Sequence, residues 1–314
     1  MAIDRRFLKE LISVTDELAG HRLDFAVSRE LGISRAYAQN LIKGGHVTSP
    51  SGRGIKPSIK VESGETYEVD APPPEKLGLE PEPVPFDVVF FDQDIIVIDK
   101  PAGLVVHPAP GHRSGTLVHG LLHRFPDLGN LNGVERPGIV HRLDATTSGL
   151  MVVARNGFAQ ERLWKQFKSR TVGKTYIALC HGSPRKAEAR IDMPIGRDRA
   201  NRHRMAVVDG GRDAVTDYAV LWSANGYSLV RCGLRSGRTH QIRVHMDAIG
   251  CPLVGDFLYA PSRESPFEGQ GGQRVFLHSW RLSLTHPRTG EPVAFKSTLP
   301  DDLKNFLVEI RRAG

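Results

Sequence analysis

Cysteine is scarce in this sequence: Cys180, Cys232 and Cys251 are the three cysteines among 314 residues. An odd number without a C-x-x-C pair argues against a disulfide framework. We therefore expect reduced thiols in the protein core, as is usual in a cytoplasmic protein.

Long apolar runs are also missing. No apolar stretch reaches the length that spans a bilayer. The first twenty residues, MAIDRRFLKELISVTDELAG, mix charged with apolar residues and lack the apolar centre of a signal peptide. These absences predict a cytoplasmic protein that does not bind a membrane.

The motifs of several cofactor-dependent enzymes are absent as well. The sequence has no Walker loop, no G-x-G-x-x-G after a predicted strand and no G-x-S-x-G. Nucleotide hydrolysis, hydride transfer and serine hydrolysis therefore lack support. Among thirteen histidines, His119 and His123 stand four residues apart and His240 and His245 flank a predicted strand, but no carboxylate or cysteine completes a metal-ligand pattern. We expect chemistry without a metal or cofactor.

The overall composition is that of a globular protein, with 40% hydrophobic and 25% charged residues, which excludes disorder as the dominant state. A length of 314 residues suggests two domains. The segment APPPEKLGLEPEPVP, Ala71 to Pro85, holds six prolines, which predict a stiff extended linker because proline fixes φ and lacks an amide donor. We expect a small domain over residues 1–70 and a large one over 86–314.

The net charge of +7 is unevenly distributed along the chain. Residues 35–60 contain five basic side chains and no acidic one, residues 61–100 contain eleven acidic against two basic, and residues 155–243 contain eighteen basic against seven acidic. Two basic blocks are typical of a protein that binds a polyanion through two surfaces. A solvated surface explains either block alone, but the two together favour nucleic acid.

The segment RLDFAVSRELGISRAYAQNLIKGGHV lies in the small domain. Ser34 is a plausible N-cap for a helix over residues 35–43, and short strands are predicted at 46–48 and 67–69. Residues 15–70 resemble the S-four-like RNA-binding domain, a small α/β module, although SPSGRG replaces that family's usual Asn-Gly turn. The alternative is a helical scaffold with surface lysines. The resemblance implies contact with structured RNA through Arg35, Lys43, Arg53 and Lys56.

The large domain alternates short β-rich runs with turns. Strands are predicted from FDVVFFDQDIIVIDKP, which gives two around a turn at residues 92–94, and from GLMVVARN, KTYIALCHG, DYAVLWS, YSLVRCGL and QIRVHM. One helix is predicted over Gly157 to Arg170, with Phe158, Leu163, Trp164 and Phe167 as buried positions. Many strands with few helices predict an α+β fold, built on a largely antiparallel mixed sheet with flanking helices.

The densest polar cluster in apolar surroundings is GIVHRLDATTSGLMVVARN, residues 138–156. Its turn-rich centre predicts that Asp144 is exposed at a sheet edge. On spacing alone, a turn or a helix cap is the favoured explanation of an aspartate there. HRLD followed by TSGL is similar to the signature of the RluA-like pseudouridine synthases. Further segments agree with that family in the same order: PAGLVVHPAPGHRSGTLVHGLL, RTVGKTYIALCHG, GRTHQIRVHMDAIGCPLVGD and LHSWRLSLTHPRTGEPV.

The resemblance implies an enzyme that isomerises uridine to pseudouridine in RNA. The domain arrangement and the HPAPGH…GTLVHGLL segment are most similar to the RluD-like branch, which implies large-subunit (23S) ribosomal RNA as substrate. The reaction is redox-neutral, and a carboxylate can stabilise or trap the ribose cation that develops when the glycosidic bond breaks. The resemblance makes Asp144 either the nucleophile or the base of an elimination.

The resemblance also implies partners for Asp144. Arg243 would hold that carboxylate ionised and oriented, Tyr176 would lie against the base and help remove the C5 proton, and Leu277 would be an apolar neighbour. Arg142 would fill the place of the flipped uridine. Ordinary roles also fit these residues. Arg243 could be a surface arginine, Tyr176 a sheet tyrosine and Leu277 a core residue. Arg142 could brace the loop.

Three positions depart from residues common in the family: Ala145 for lysine, Cys251 for histidine and Ala260 for glycine. None is an expected catalytic position.

Two other functions remain open on the sequence alone. A non-catalytic RNA-binding or ribosome-assembly factor is disfavoured by the intact site, and a nucleic-acid glycosidase is disfavoured because no second carboxylate is evident near Asp144. We expect a monomer.

Overall fold

The computed structural model describes residues 8–31, 35–50, 52, 54–71, 79–109, 111–130, 137–198, 200–201, 204–261, 265–267 and 274–312. The chain divides into two compact units, one formed by residues 1–79 with 129–135 and the other by residues 80–128 with 136–314. In the part described, no helix is long and apolar enough to cross a membrane.

The first unit contains a small antiparallel sheet and two helices. Its elements are β1 (Leu8–Ser13), α1 (Leu23–Leu31), α2 (Arg35–Lys43), β2 (Val47–Thr48) and β3 (Thr66–Ala71), and the strand order is β1-β3-β2. The predicted helix and both predicted strands are confirmed. Ser34, Arg53 and residues 72–78 of the predicted linker lie outside the described residues.

A nine-stranded sheet forms the centre of the second unit, in the order β4-β5-β6-β13-β7-β12-β11-β8, with β14 paired to β13. The β6–β13 pair is parallel, and the other pairs of this sheet are antiparallel. This arrangement confirms the predicted α+β class. The strands are β4 (Asp87–Phe91), β5 (Ile95–Lys100), β6 (Ser148–Ala154), β7 (Gly173–His181), β8 (Glu188–Asp192), β11 (Val215–Ala224), β12 (Tyr227–Leu234), β13 (Leu277–Thr285) and β14 (Pro292–Lys296).

Among the described residues of this unit, four helices and a small hairpin accompany the sheet. The helices are α3 (Leu117–Arg124), α4 (Gly157–Lys168), α5 (Gln241–Ala248) and α6 (Asp301–Arg312); the hairpin is β9 (Ile195–Arg197) with β10 (Met205–Val207). A 3₁₀ turn covers Pro126–Asn130. Cys180, Cys232 and Cys251 are free and buried, as predicted.

The prediction of a strand at QIRVHM is wrong, because these residues form most of α5. The alternation of Ile242, Val244 and Met246 with polar residues suggested a strand. In the structure the intervening Gln241, Arg243 and His245 are buried as well, so no exposed face gives this helix a 3.6-residue pattern. His240 and His245 accordingly belong to a helix and its N-cap.

The prediction that Phe158 and Trp164 are buried positions of α4 is also wrong. Phe158 and Trp164 are 43% and 45% exposed. The Phe158 ring packs against the guanidinium groups of Arg162 and Arg288, at 4.5 and 5.2 Å from its centroid, so it supports cation–π contacts at the surface. Leu163 is fully buried, as predicted.

Candidate active site

The parallel pairing of β6 and β13 gathers the predicted site residues at one end of the sheet. Because parallel strands start at the same edge, the loop that enters β6 lies beside Leu277 at the start of β13. Tyr176 lies on the other neighbour of β13, opposite Ser279. Gly149, with φ at +113°, allows this close approach, since a Cβ there would collide with the backbone of Ser279.

Buried Lys100 and part-buried His141 fix the loop that carries Asp144. The ammonium of Lys100 donates hydrogen bonds to the carbonyl oxygens of Pro101, Leu104 and Ala145, at 2.7, 2.8 and 3.2 Å. The last of these carbonyls belongs to the residue that follows Asp144, so Lys100 constrains the backbone at the candidate catalytic position.

His141 anchors the same loop from its other side. Its Nε2 accepts a hydrogen bond of 3.0 Å from the Val152 N–H, and its ring stacks on Phe167 with centroids 4.6 Å apart. Burial lowers the pKa of His141 to about 3, assisted by the positive charge of Lys174. The imidazole is therefore neutral and remains an acceptor for the strand.

Asp144 is part-buried, with 18% of its side chain exposed, and its Oδ2 faces two cationic or polar groups. Arg243 Nη1 donates to this oxygen at 3.4 Å, and His240 Nε2 lies 3.9 Å from it. One oxygen of the carboxylate is thus oriented by the protein within an accessible site.

Arg243 binds a second carboxylate more closely than it binds Asp144. Its Nε and Nη2 donate to the two oxygens of Asp256 at 2.7 and 2.8 Å, and the Asp256 side chain is fully buried. Burial by itself would lower the pKa of Arg243, but the hydrogen bonds to Asp256 and the charges of Asp256 and Asp144 raise it. The guanidinium is a fixed cation beside Asp144.

Asp256 corrects the expectation that no second carboxylate stands near Asp144. Both of its oxygens are occupied by Arg243, and Oδ1 also accepts from the backbone N–H groups of Leu258 and Tyr259. A carboxylate bound in this way orients the arginine and does not supply the second acid or base of a glycosidase.

Tyr176 and Leu277 form the apolar side of the site, with 6% and 4% of their surface exposed. Burial raises the pKa of the Tyr176 hydroxyl, which the nearby charge of Asp144 raises further. The phenol therefore stays protonated at neutral pH.

These residues line one cavity of about 460 Å³, a size suited to a small ligand or a nucleotide. All five residues predicted for the catalytic site line it: Arg142, Asp144, Tyr176, Arg243 and Leu277. Arg142 is exposed there. Four further basic side chains lie on the lining and make it cationic: Lys168, Arg170, Lys174 and Arg238.

The RNA-contact residues predicted for the small domain differ in their surroundings. Lys43 and Lys56 are exposed. Arg35 donates from Nε to Asp24, at 3.0 Å, and Arg22 and Gln39 bind the same buried carboxylate. Arg35 therefore has a structural role in the first unit, whereas the two lysines are available to a ligand.

The sequence motifs do not identify Asp256, His240 and Tyr259 as site residues. His240 and Asp256 lie inside the segment GRTHQIRVHMDAIGCPLVGD, in which the sequence suggested His240 only as a possible metal ligand and gave Asp256 no role. A buried charged residue needs a partner, so Arg243 could have prompted a search for an acid beyond Asp144. Nothing in the sequence pairs Tyr259 with His240.

One group of potential metal ligands occurs among the described residues, formed by Asp92, Asp94 and His286. His286 Nε2 lies 2.9 Å from an oxygen of Asp92, and Arg288 binds both oxygens of Asp94. These contacts pair the carboxylates within the protein.

Comparisons with known proteins match this sequence to a family. The model of the RNA pseudouridylate synthase family matches residues 94–248, which include Asp144, Tyr176 and Arg243. A Bacillus subtilis protein, the uncharacterized RNA pseudouridine synthase YlyB, is 44% identical over 304 residues, covering 96% of this chain and 98% of that protein. The chain belongs to the RNA pseudouridylate synthase family. It is an isomerase that converts uridine in RNA to pseudouridine.

Other relatives support membership of the RluA-like branch. The ribosomal large subunit pseudouridine synthase D of Zymomonas mobilis is 39% identical and covers 94% of this chain and 95% of that protein. The structure of human RNA pseudouridylate synthase domain containing 4 matches with a TM-score of 0.57 and 25% identity, covering 72% of this chain and 93% of that one.

Proposed function

We propose that this pseudouridine synthase modifies uridines of large-subunit (23S) ribosomal RNA. Relatives that align over nearly the whole chain, such as the one from Zymomonas mobilis, are named ribosomal large subunit pseudouridine synthases. The cationic lining of the cavity fits a substrate with a phosphate backbone. A ribosomal substrate also places the enzyme in the cytoplasm.

Asp144 is the proposed catalytic carboxylate. The observation that supports it is the cavity in which part-buried Asp144 faces Arg243, with Tyr176 and Leu277 beside it. The N1–C1′ bond of uridine breaks, the uracil turns, C5 bonds to C1′, the C5 proton leaves and N1 gains a proton. As nucleophile, Asp144 stabilises or traps C1′ and is displaced when C5 bonds to that carbon. As base, it takes the C2′ proton and returns it when C5 bonds to C1′.

Arg243 and Tyr176 have different proposed roles. The Arg243 guanidinium directs one oxygen of Asp144 by donating a hydrogen bond to it. The protonated Tyr176 packs against the uracil with Leu277 and assists departure of the C5 proton by hydrogen bonding after the base has turned. A buried aromatic wall also excludes water from a reactive ribose.

Base flipping is the proposed route of substrate entry. The target atoms of a stacked uridine are inaccessible, so the nucleotide must leave the stack. Arg142 is exposed on the cavity lining, in the loop that carries Asp144. Its long cationic side chain is placed to occupy the position that the uridine leaves.

We further propose that residues 1–70 form an S-four-like RNA-binding domain, that residues 71–85 are a linker and that residues 86–314 are the catalytic domain. Exposed Lys43 and Lys56 are its proposed phosphate contacts, with Arg35 and Arg53. The enzyme is proposed to act as a monomer because one chain contains every residue of the proposed site.

The test is to map pseudouridine in ribosomal RNA from cells with and without the gene, and after complementation with wild-type protein or with the Asp144→Ala variant. We expect one or more large-subunit pseudouridines to disappear on deletion and to return only with wild-type protein. An unchanged large-subunit map would refute the proposed substrate. Restoration by Asp144→Ala would refute the proposed role of that residue.

A further inference from the structure

His240 occupies an unusual backbone position at the candidate site. It is the N-cap of α5, with φ at +57° and ψ at 21°, and its side chain makes no capping hydrogen bond. Of the three described non-glycine residues with positive φ, two, His240 and Arg170, line the cavity. Left-handed conformations of such residues cost free energy and are concentrated at functional sites.

The hydroxyl of Tyr259 has its hydrogen and one lone pair occupied by Met205. In the hairpin of β9 and β10, Met205 lies opposite Arg197. The neighbouring pair, Arg204 and Asp198, is joined by a hydrogen bond from the Asp198 N–H to the Arg204 carbonyl. Because bonded and non-bonded pairs alternate in an antiparallel ladder, both backbone groups of Met205 point away from β9. The Tyr259 hydroxyl accepts from the Met205 N–H at 3.0 Å and donates to its carbonyl at 3.1 Å.

This arrangement fixes the tautomer of His240. A hydroxyl has one hydrogen and two lone pairs, so Tyr259 has only a lone pair left for His240 Nδ1, 3.0 Å away. Nδ1 must therefore carry the proton and donate it to that oxygen. Burial lowers the pKa of His240 against the opposing effect of Asp144, so the ring is neutral and Nε2 is unprotonated.

Nε2 is directed to the reacting end of the cavity, 3.9 Å from Asp144 Oδ2. Both atoms are acceptors and the distance exceeds that of a hydrogen bond, so they bind an O–H donor more readily than each other. The proposed chemistry brings Asp144 to C1′ as nucleophile or to the neighbouring C2′ as base. Either route brings the 2′-hydroxyl, carried on C2′, next to Nε2.

We propose that His240 is a specificity-determining residue whose Nε2 accepts a hydrogen bond from the 2′-hydroxyl of the target uridine. The enzyme thereby distinguishes ribose from deoxyribose at the reacting nucleotide, a distinction that rests on this hydroxyl. This inference depends on the proposed function, because it assumes that the target ribose approaches Asp144.

The test compares a synthetic large-subunit RNA stem-loop around the mapped uridine with the same RNA carrying one 2′-deoxy substitution at that uridine. Affinity and single-turnover rate are measured for wild type, His240→Asn and His240→Gln. The Asn amide can replace Nδ1 as donor to Tyr259 and tolerates the left-handed backbone, but it has no group at Nε2. The Gln amide can place an acceptor near the Nε2 position.

We expect wild type to bind and convert the ribose substrate better than the 2′-deoxy substrate. His240→Asn should reduce this ribose-to-deoxyribose ratio about 3- to 10-fold, which is the contribution of one hydrogen bond. His240→Gln should restore part of that ratio. A 2′-deoxy substitution at the flanking nucleotide is the matched control, and its effect should be the same in wild type and variants.

Two results would overturn the inference: equal wild-type affinity and rate on both substrates, which needs no variant, or a ratio unchanged in His240→Asn. Failure of the proposed function has a different signature, namely turnover by Asp144→Ala protein on the ribose substrate. The two outcomes are therefore separable in one set of assays.

Discussion

Asp256 binds two nitrogens of the Arg243 guanidinium and leaves Nη1 directed to Asp144, 3.4 Å away. The two carboxylates thus have different roles, one holding the cation and the other facing the cavity. A cation oriented before substrate arrives costs no reorganisation during the reaction. We therefore expect Asp256 to act on catalysis through Arg243, by directing its Nη1 to Asp144.

The Asp256→Asn substitution should slow catalysis because Arg243 loses a charged partner that fixes its orientation. Loss of one charge-assisted hydrogen bond predicts a roughly 10- to 150-fold fall in single-turnover rate. RNA affinity should change little. The matched control is Asp217→Asn, an exposed carboxylate bound by Arg190 and Arg235, which should keep the wild-type rate. Equal rates in the two variants would show that Asp256 has no positioning role.

Gly149→Ala should destabilise the protein and reduce turnover, because the added Cβ collides with the backbone of Ser279 where β6 meets β13. Crowding of this kind costs about 1–3 kcal/mol, in addition to the cost of a positive φ. Urea denaturation measures the change. Gly226→Ala is the control, since its φ is +77° but no atom lies within 4 Å of its Cβ position. Similar losses in both variants would contradict the steric explanation.

The free energy of unfolding should fall in acid because of the buried His278. Burial, with the charge of Arg274, lowers its pKa from 6.5 to about 4, so between these values the unfolded chain binds a proton that the folded chain does not. Stability contributed by neutral His278 is therefore complete above about pH 6.5 and is lost as the pH falls toward 4. At pH 5 the loss is about 2 kcal/mol.

The check on His278 is urea denaturation at pH 7.5 and pH 5. His278→Gln should shrink the difference in unfolding free energy between the two pH values relative to wild type. His123→Gln, at an exposed position of α3, should leave the difference as it is. An undiminished pH dependence in His278→Gln would mean that another group titrates in this range.

Much of the fold could be predicted because most strands alternate apolar and polar residues or form short apolar runs between turns. The turn at residues 92–94 and strand β12 appear where they were expected. The helix α5 could not be found, since it is buried on all sides and its β-branched residues alternate. Tertiary packing, which local patterns do not contain, decided its conformation.

The site was predictable only in part for the same reason. Asp144 and Arg243 were named from short motifs, but they are 99 residues apart in sequence, and their contact depends on the sheet order. The bidentate bond of Arg243 to Asp256 and the Tyr259–His240 contact arise from the fold after α5. Those partners can be identified only when the hydrogen bonds of buried groups are accounted for one by one.

The proposed RNA-binding role of the first unit predicts a change in salt dependence. Each phosphate contact contributes roughly 0.7–0.9 to the slope of log affinity against log salt concentration, so Lys43→Ala with Lys56→Ala should flatten it by about 1.4–1.8. Arg35 is left intact because it binds Asp24. Arg29→Ala, at an exposed position of α1, is the control. An unchanged slope in the double variant would place the RNA contact elsewhere.

The central claim, that the Asp144 carboxylate performs the chemistry, is tested most directly by single-turnover assays of purified Asp144→Asn and Asp144→Ala protein on the mapped RNA. We predict no pseudouridine above background in either variant, with RNA affinity within about threefold of wild type, because binding is spread over many phosphates. The Ala variant excludes activity regained by deamidation. Measurable turnover by the Ala variant would contradict the account.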